Sequence, residues 1–299
     1  MPILIGVDAG GSGVRWIIER DGAVTLGNGE AANARSGGVE LAAERIADAI
    51  RAALGAEPFD ALGIGAAGAG DATVANALER ALRSYFPTGK LGVVDDAQIA
   101  LRAAVPEGDG MLLIAGTGSI AYAAIGSETH RVGGYGYLLG DDGSGFAIGR
   151  AALSLLLRSY DGRAPRSPLF EALELRLQVH DARELLARIY DEANPIGTVA
   201  SVAGLVLEQA GAGERTATKI VQAAALDLVE MLKALVKRAG AGTRELPLVF
   251  AGGLLAENSL LTYLIETRLL GDLPLLHPVK GAREPVYGAL ELARRAAAS

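Results

Sequence analysis

The chain has 299 residues, half of them hydrophobic, with 28 basic and 35 acidic side chains and a net charge of −7. A chain of that length buries about three quarters of its unfolded surface, in one large domain or two medium ones. The acidic balance argues against a general nucleic-acid role, since a phosphate backbone needs a basic surface; the lack of cysteine excludes disulfides, thiolate zinc sites and cysteine nucleophiles and suits a cytoplasmic protein.

No stretch of membrane-spanning length is free of charges and helix breakers, so no membrane span is expected. Met1-Pro2-Ile3 leads straight into a strand without a basic segment or cleavage site, so no signal peptide is expected. Ile3-Leu4-Ile5 reads as a buried strand. Val7-Asp8-Ala9-Gly10-Gly11-Ser12-Gly13 follows, and a second apolar run covers residues 14–18. The glycines therefore fall in a tight turn between two strands. Without Cβ atoms the backbone there can approach a ligand closely, and successive N–H groups can cradle an anion. Asp8 would repel bare phosphate beside that nest, so it makes sense with a cation, Mg²⁺ held mainly through water. A glycine-rich hairpin turn with no ligand fits the same residues.

A turn at Asp21-Gly22 leads to a third strand over 23–26, and a loop of small residues over 29–38 carries Asn33. A helix over 39–54 places Ile46, Ile50 and Leu54 on one face. A strand over 60–65 runs into the turn that holds Gly68, and a helix over 73–85 follows. The next strand, 91–94, ends at Asp95-Asp96 before a helix over 97–105. Strands alternating with helices imply a largely parallel sheet. Ligands of such sheets bind beyond the strand carboxyl ends, where Asp8, Gly68 and Asp96 fall. Either aspartate of the pair can instead cap the helix, and Asn33 can be an ordinary turn residue. The positive end of the helix favours an ionised Asp96.

Pro106-Glu107-Gly108-Asp109-Gly110 is a turn and marks a domain boundary. From Met111 the opening pattern returns: an apolar strand over 111–114, the loop Ala115-Gly116-Thr117-Gly118-Ser119, a strand over 120–125, a turn, and a strand near 129–132. Self-similarity at that spacing means duplicated domains rather than a solenoid, whose repeats run about 20–50 residues. Residues 133–145, rich in glycine around Tyr135, Tyr137, Asp141 and Asp142, cannot form a regular element. A loop so long inside a compact domain is usually functional; its tyrosines and Leu138-Leu139 argue against a flexible linker, while Asp141 and Asp142 can also cap the next helix. Helices are expected over 146–158, 169–178, 182–190, 196–209 and 215–239, then a strand over 246–251 ending at Gly252-Gly253. A helix over 258–270, a strand over 273–276 and a closing helix over 285–298 complete the chain. The histidines, His130, His180 and His277, lack metal spacing, and no lysine stands in a P-loop context.

Two Gly-Ser/Thr loops on duplicated domains resemble the actin-like ATPase and sugar kinase superfamily. Asp8-Ala9-Gly10-Gly11-Ser12, Asp96-Ala97, Ala115-Gly116-Thr117-Gly118-Ser119, residues 133–144, Ala251-Gly252-Gly253 and Pro285-Val286-Tyr287-Gly288-Ala289 follow one another in register. Together they resemble the N-acetylglucosamine kinase and archaeal hexokinase branch of the BadF/BadG/BcrA/BcrD ATPases. The resemblance implies an α/β fold of two actin-like, ribonuclease H-like domains around a central ATP and sugar cleft. The domains would be residues 1–106 plus 285–299, and residues 107–284, with the closing helix packed on the first.

It further implies an ATP-dependent kinase of N-acetylglucosamine or a related amino sugar or hexose. Such a kinase uses Mg²⁺, takes a small-molecule sugar as its partner without nucleic acid or membrane, and forms a homodimer in the cytoplasm. Gly10, Gly11 and Ser12 would line the first phosphate loop, and Thr117 and Gly118 the second. Gly252 and Gly253 would lie against the adenosine. Asn33, Gly134, Tyr135 and Asp141 would hold the sugar, and Asp96 would be the catalytic base. Phosphoryl transfer needs a group that takes the attacking hydroxyl's proton, and a carboxylate can do so. Ser12 stands where threonine is usual but keeps the hydroxyl; Tyr135 replaces a frequent tryptophan. The family's activator ATPases, which drive electron transfer to radical dehydratases, need cysteines for an iron–sulfur cluster, and this chain has none. A non-catalytic nucleotide-binding or regulatory protein is the remaining alternative, and it finds no support in this sequence, where no helix-turn-helix segment is expected before the strand at Ile3.

Overall fold

In the computed structural model, residues 2–10, 13–34, 37–279 and 283–298 are described. Strands β1 (Ile3–Ala9), β2 (Val14–Arg20) and β3 (Ala23–Gly29) form an antiparallel meander, and β4 (Ala61–Ala66) and β5 (Lys90–Asp95) extend it in parallel on the other side of β1. Helices α1 (Val39–Leu54), α2 (Ala72–Tyr85) and α3 (Asp96–Ala104) connect them. The second sheet uses β6 (Gly110–Ala115), β7 (Ser119–Ile125), β8 (Glu128–Gly133), β9 (Leu246–Ala251) and β10 (Leu276–Val279). Helices α4 (Gly145–Tyr160), α5 (Pro168–Leu177), α6 (Ala182–Tyr190), α7 (Pro195–Ser201), α8 (Ala203–Gly211), α9 (Arg215–Arg238) and α10 (Leu260–Asp272) belong with it, and α11 (Pro285–Ala298) closes the chain. The sheet orders, β3-β2-β1-β4-β5 and β10-β9-β6-β7-β8, place equivalent strands in equivalent positions. The chain divides into two units, Met1–Gly110 with Gly281–Ser299, and Met111–Lys280.

In the first unit β1 is covered on both faces, which is why it reads as an unbroken apolar run. Alternate side chains point to opposite faces: Ile3, Ile5 and Val7 join the cluster made with α1 and α2, while Leu4 joins α11. Helix α11 buries Val286, Ala289, Leu290 and Ala293. It lies so close to its neighbours that a Cβ on Gly288 would overlap the Ile99 carbonyl oxygen of α3. Glycine, with no side chain, is what permits that approach. The packing holds α3, and Asp96 at its first residue, at the carboxyl end of β5.

Helix starts follow capping chemistry. Asp71 accepts from the Thr73 N–H at 2.8 Å, Asp181 from Glu184 at 2.8 Å and Asn194 from Gly197 at 2.9 Å. Three expectations are corrected. The helix read over 196–209 is two, α7 and α8, joined at Val202; the Thr198 hydroxyl donates back to the carbonyl of the cap residue Asn194 and the Ser201 hydroxyl to that of Thr198, which weakens a helix at such residues. Helix α10 begins after Ser259, whose hydroxyl caps it, and runs through Gly271 to Asp272, whose carboxylate meets Lys233 at 2.6 Å. That extension displaces the last strand from the expected 273–276 to Leu276–Val279. No helix among the described residues is long and apolar enough to cross a membrane.

Candidate active site

The first unit gathers its candidate groups at the carboxyl ends of β1, β4 and β5. Asp8 lies inside β1, paired in register with Arg15 on β2 and Gly65 on β4. Burial pushes its carboxyl above the usual carboxylate range, against the pull of the Arg15 guanidinium, and Glu284 adds to the rise. Arg15 pairs with Glu284 at 3.2 Å. The Gly10 N–H donates to the Gly13 carbonyl at 3.0 Å and the Gly10 carbonyl accepts from Ala32 at 3.1 Å, which sets the loop bearing Asn33 beside the first glycine turn. Gly10 and Gly13 have ordinary φ angles, and among the described residues nothing stands closer to a Cβ there than ordinary van der Waals contact. Gly11 and Ser12 lie outside the described residues.

Asp95 and Asp96 divide the roles left open by the sequence. Asp95 is the buried N-cap of α3, and its carboxylate accepts from the Ala97 N–H at 2.9 Å. An Asp96 carboxylate oxygen lies 2.9 Å from the same N–H. Two carboxylates therefore share one donor. Burial, then the Asp95 charge and hydrogen bond, push the Asp96 carboxyl up to about 7; the Ala97 N–H opposes the rise and the Asp8 charge adds to it. The expectation that the helix start favours an ionised Asp96 is therefore corrected: desolvation and like charge outweigh the helix end.

In the second unit the loop after β6 and the loop after β8 are interlocked. The Gly116 N–H donates to the Gly118 carbonyl at 2.9 Å, the Gly145 N–H to Gly116 at 2.7 Å, and the Phe146 N–H to Thr117 at 3.1 Å. Thr117 itself is exposed. A Cβ on Gly118 would stand 2.8 Å from an Asp141 carboxylate oxygen, so the second glycine loop and Asp141 are in direct contact. Asp141 has a left-handed φ of 58°. Burial raises its pKa, while hydrogen bonds from the Ser119 and Gly136 N–H groups lower it. The Ser119 hydroxyl donates to the Asp142 carbonyl at 2.7 Å. The cap of α4 is Ser144, 3.2 Å from the Ala147 N–H, rather than Asp141 or Asp142.

Packing does not hold the apolar side chains of residues 134–144: Tyr135, Leu138 and Leu139 are 71%, 75% and 88% exposed. Tyr137 alone of these meets a ring, edge-on to Phe146 at 5.1 Å. Polar contacts shape the loop instead, including the Arg131 guanidinium, which donates to the Gly134 carbonyl at 2.8 Å. Sequence reasoning missed Arg131; an arginine on an edge strand gives no local signal of a loop three residues on. Gly252 takes φ 89°, and a Cβ there would overlap the Ala115 carbonyl, so this glycine lies on the backbone that leads into the second loop. Gly253 opens a short 3₁₀ turn with free space around it.

Among the described residues no three acidic, histidine or cysteine side chains gather into a metal cage. The lone, partly desolvated Asp8 fits a cation that keeps most of its ligands as water and phosphate oxygens.

Comparison with known proteins adds three findings. The model of the BadF/BadG/BcrA/BcrD ATPase family matches residues 5–293. An N-acetylmuramic acid/N-acetylglucosamine kinase of Clostridium acetobutylicum is 29% identical over 80% of this chain and 78% of its own, and an N-acetyl-D-glucosamine kinase of Dictyostelium discoideum is 30% identical over 62% and 59%. A crystal structure from Chromobacterium violaceum, provisionally assigned as an N-acetylglucosamine kinase, superposes with a TM-score of 0.78 at 27% identity over 98% of this chain and 99% of the other.

Proposed function

The chain belongs to the BadF/BadG/BcrA/BcrD ATPase family, and on that footing we propose that it is an ATP-dependent kinase that phosphorylates N-acetylglucosamine or a related amino sugar or hexose. The observation that carries the reading is Asp96: a carboxylate at a strand's carboxyl end whose pKa is about 7. A carboxylate whose pKa is raised toward neutrality is a better proton acceptor at that pH than one at the ordinary value.

In this reading Asp96 accepts the proton of the attacking sugar hydroxyl as its oxygen bonds the γ-phosphorus and the bond to the β-phosphate oxygen breaks. Gly10, Gly11 and Ser12 line the first phosphate loop, with Gly11 and Ser12 offering N–H and hydroxyl donors to the phosphates, and Thr117 and Gly118 line the second. Gly252 and Gly253 lie against the adenosine. Asp141, oriented by Ser119 and Gly136, accepts from sugar hydroxyls; Asn33, Gly134 and Tyr135 complete the sugar site. Mg²⁺ would be held by Asp8, chiefly through water, and would offset phosphate charge. Homodimerisation and a cytoplasmic location belong to the same proposal.

A coupled assay with Mg-ATP and a panel of N-acetylglucosamine, N-acetylmuramic acid, glucosamine and glucose tests it. ADP release that depends on an amino sugar is expected. ATP hydrolysis indifferent to every sugar would overturn the assignment.

A further inference from the structure

Between α4 and α9 the second unit holds a groove of about 560 Å³ that Thr117, Gly118, Tyr135, Asp141, Gly252 and Gly253 do not line. Its floor is apolar, with Ile148 and Phe170, and its walls carry four charges: Asp142, Arg150, Lys219 and Asp227. The order of those charges follows from the helices. Lys219 and Asp227 face the groove from one side of α9, eight residues and therefore about 12 Å apart along the axis. A Cβ on Gly143, just before α4, would stand 2.8 Å from the Ala224 carbonyl of α9, so Asp142 stands at the Asp227 end. Beyond the far end of α4, the Ser167 hydroxyl donates to Glu214, the cap of α9, at 2.7 Å. The two helices thus run antiparallel, and Arg150 lies toward Lys219. One end of the groove is acidic and the other basic.

The acidic end is held together against repulsion. Burial, then the Asp142 and Glu230 charges, push the Asp227 carboxyl above its usual range, a stress that a cationic group between the two aspartates would relieve. Among the described residues Arg150, Lys219 and Asp227 make no hydrogen bond or ion pair, so these charges are uncommitted.

We propose that the groove is a second ligand site, which takes an amino sugar phosphate with its ammonium between Asp142 and Asp227 and its phosphate at Arg150 and Lys219. A guanidinium can grip phosphate with two parallel hydrogen bonds while the ammonium of lysine adds a point charge. The volume falls within the range of small-ligand sites. The choice of an amino sugar rests on the kinase reading; the demand for an ammonium and a phosphate in one small molecule comes from the groove alone. Such a compound is the product of the proposed reaction where the sugar keeps a free amino group, as glucosamine does; the acetylated sugar gives a phosphate with a neutral amide and no ammonium. The groove also reaches the sugar loop, because the Asp142 carbonyl accepts from Ser119, whose N–H holds the Asp141 carboxylate. A ligand in the groove therefore touches the residue that adjoins Asp141, and we take its effect on turnover to be inhibitory.

Titration calorimetry of glucosamine 6-phosphate into the full chain tests this. The wild type should bind two equivalents, one at the reaction site and one in the groove. Lys219→Ala and Asp227→Asn should each bind one, with unchanged melting temperature, sugar KM and kcat. Inorganic phosphate or glucosamine, each offering one charge, should bind the groove at least about tenfold more weakly than glucosamine 6-phosphate, a loss of about 1.4 kcal/mol. In turnover, glucosamine 6-phosphate should compete with sugar in every form through the reaction site, and any additional component of inhibition that excess sugar does not relieve should be confined to the wild type and absent from the two variants. Titrations of both variants that match the wild type would overturn the site. Loss of an equivalent in both variants, with no sugar phosphorylated, would leave the groove standing and defeat the kinase reading instead.

Discussion

Asp96 shows how one residue's environment sets both stability and chemistry. Its folded-state pKa of about 7 lies above the ordinary 3.8. Between those values the folded chain holds a proton that the unfolded chain has lost, so stability present below pH 4 declines as pH rises and is lost above about 7. Asp96→Asn removes the buried charge and keeps the shape. Without ligands it should melt higher than the wild type at pH 8, by about 2–4 °C for each kcal/mol regained, and equally at pH 4. The same variant should lose about two to four orders of magnitude in kcat. Asp95→Asn keeps a good cap, since Asn caps about as well as Asp, and should retain most activity. It should also move the acidic limb of the kcat/KM profile below 7, because the Asp95 charge is the largest cause of the upward shift after burial. Calorimetry and pH–rate profiles of both variants check these outcomes. An active Asp96→Asn enzyme, or an Asp95→Asn enzyme equally dead, would move the base elsewhere.

At the scale of elements, the loop after β8 is fixed from the loop after β6. Gly118 leaves just enough room for the Asp141 carboxylate, and a methyl group 2.8 Å from its oxygen forces that side chain to shift. The far end of a side chain moves cheaply, so Gly118→Ala should fold while Asp141, and with it the proposed sugar site, is misaligned. We expect a rise in sugar KM well beyond any rise in ATP KM, in the same direction as Asp141→Ala. Equal changes in both constants would detach residues 134–144 from sugar binding. The sequence made this coupling only half visible. The glycine–threonine spacing announced the loop after β6, and the density of glycine and aspartate announced the irregular stretch, but the contact between them depends on tertiary packing. Helix α1 was legible to the residue because its apolar stripe is long and glycine bounds it. Strand ends were read short, since the terminal glycines and aspartates of β1, β3 and β5 look like turn residues yet remain paired in the sheet. The break at Val202 and the displaced β10 could not be read at all, because neither leaves a mark on apolar periodicity.

For the molecule as a whole, the duplication was legible because both copies keep a strand, a glycine loop and a second strand, and both sheets follow the same order. That the chain returns at its end to complete the first unit was implied only by the resemblance; the glycines that allow it, Gly6 and Gly63 on the strands and Gly288 on α11, carry no periodic signal. The first unit's dependence on that return is testable. Removing residues 285–299 uncovers Leu4, Ile17 and Ala61 and deletes Val286 and Leu290, which are buried with them. Each such aliphatic side chain stabilises by about 1.5–3 kcal/mol when fully buried. The loss also takes the ion pair of Arg294 with Glu19. Against a typical domain stability of about 5–15 kcal/mol, that should unfold the first unit, while the second keeps its own core around α9. Hydrogen exchange should show protection lost in β1, β4 and α3 but kept in β6 and α9. Gly288→Val should give a milder version of the same pattern, because its side chain drives α11 off the Ile99 carbonyl. Protection retained in β1 and β4 after the truncation would mean that the first unit closes without its last helix, and that α11 serves some end other than stability.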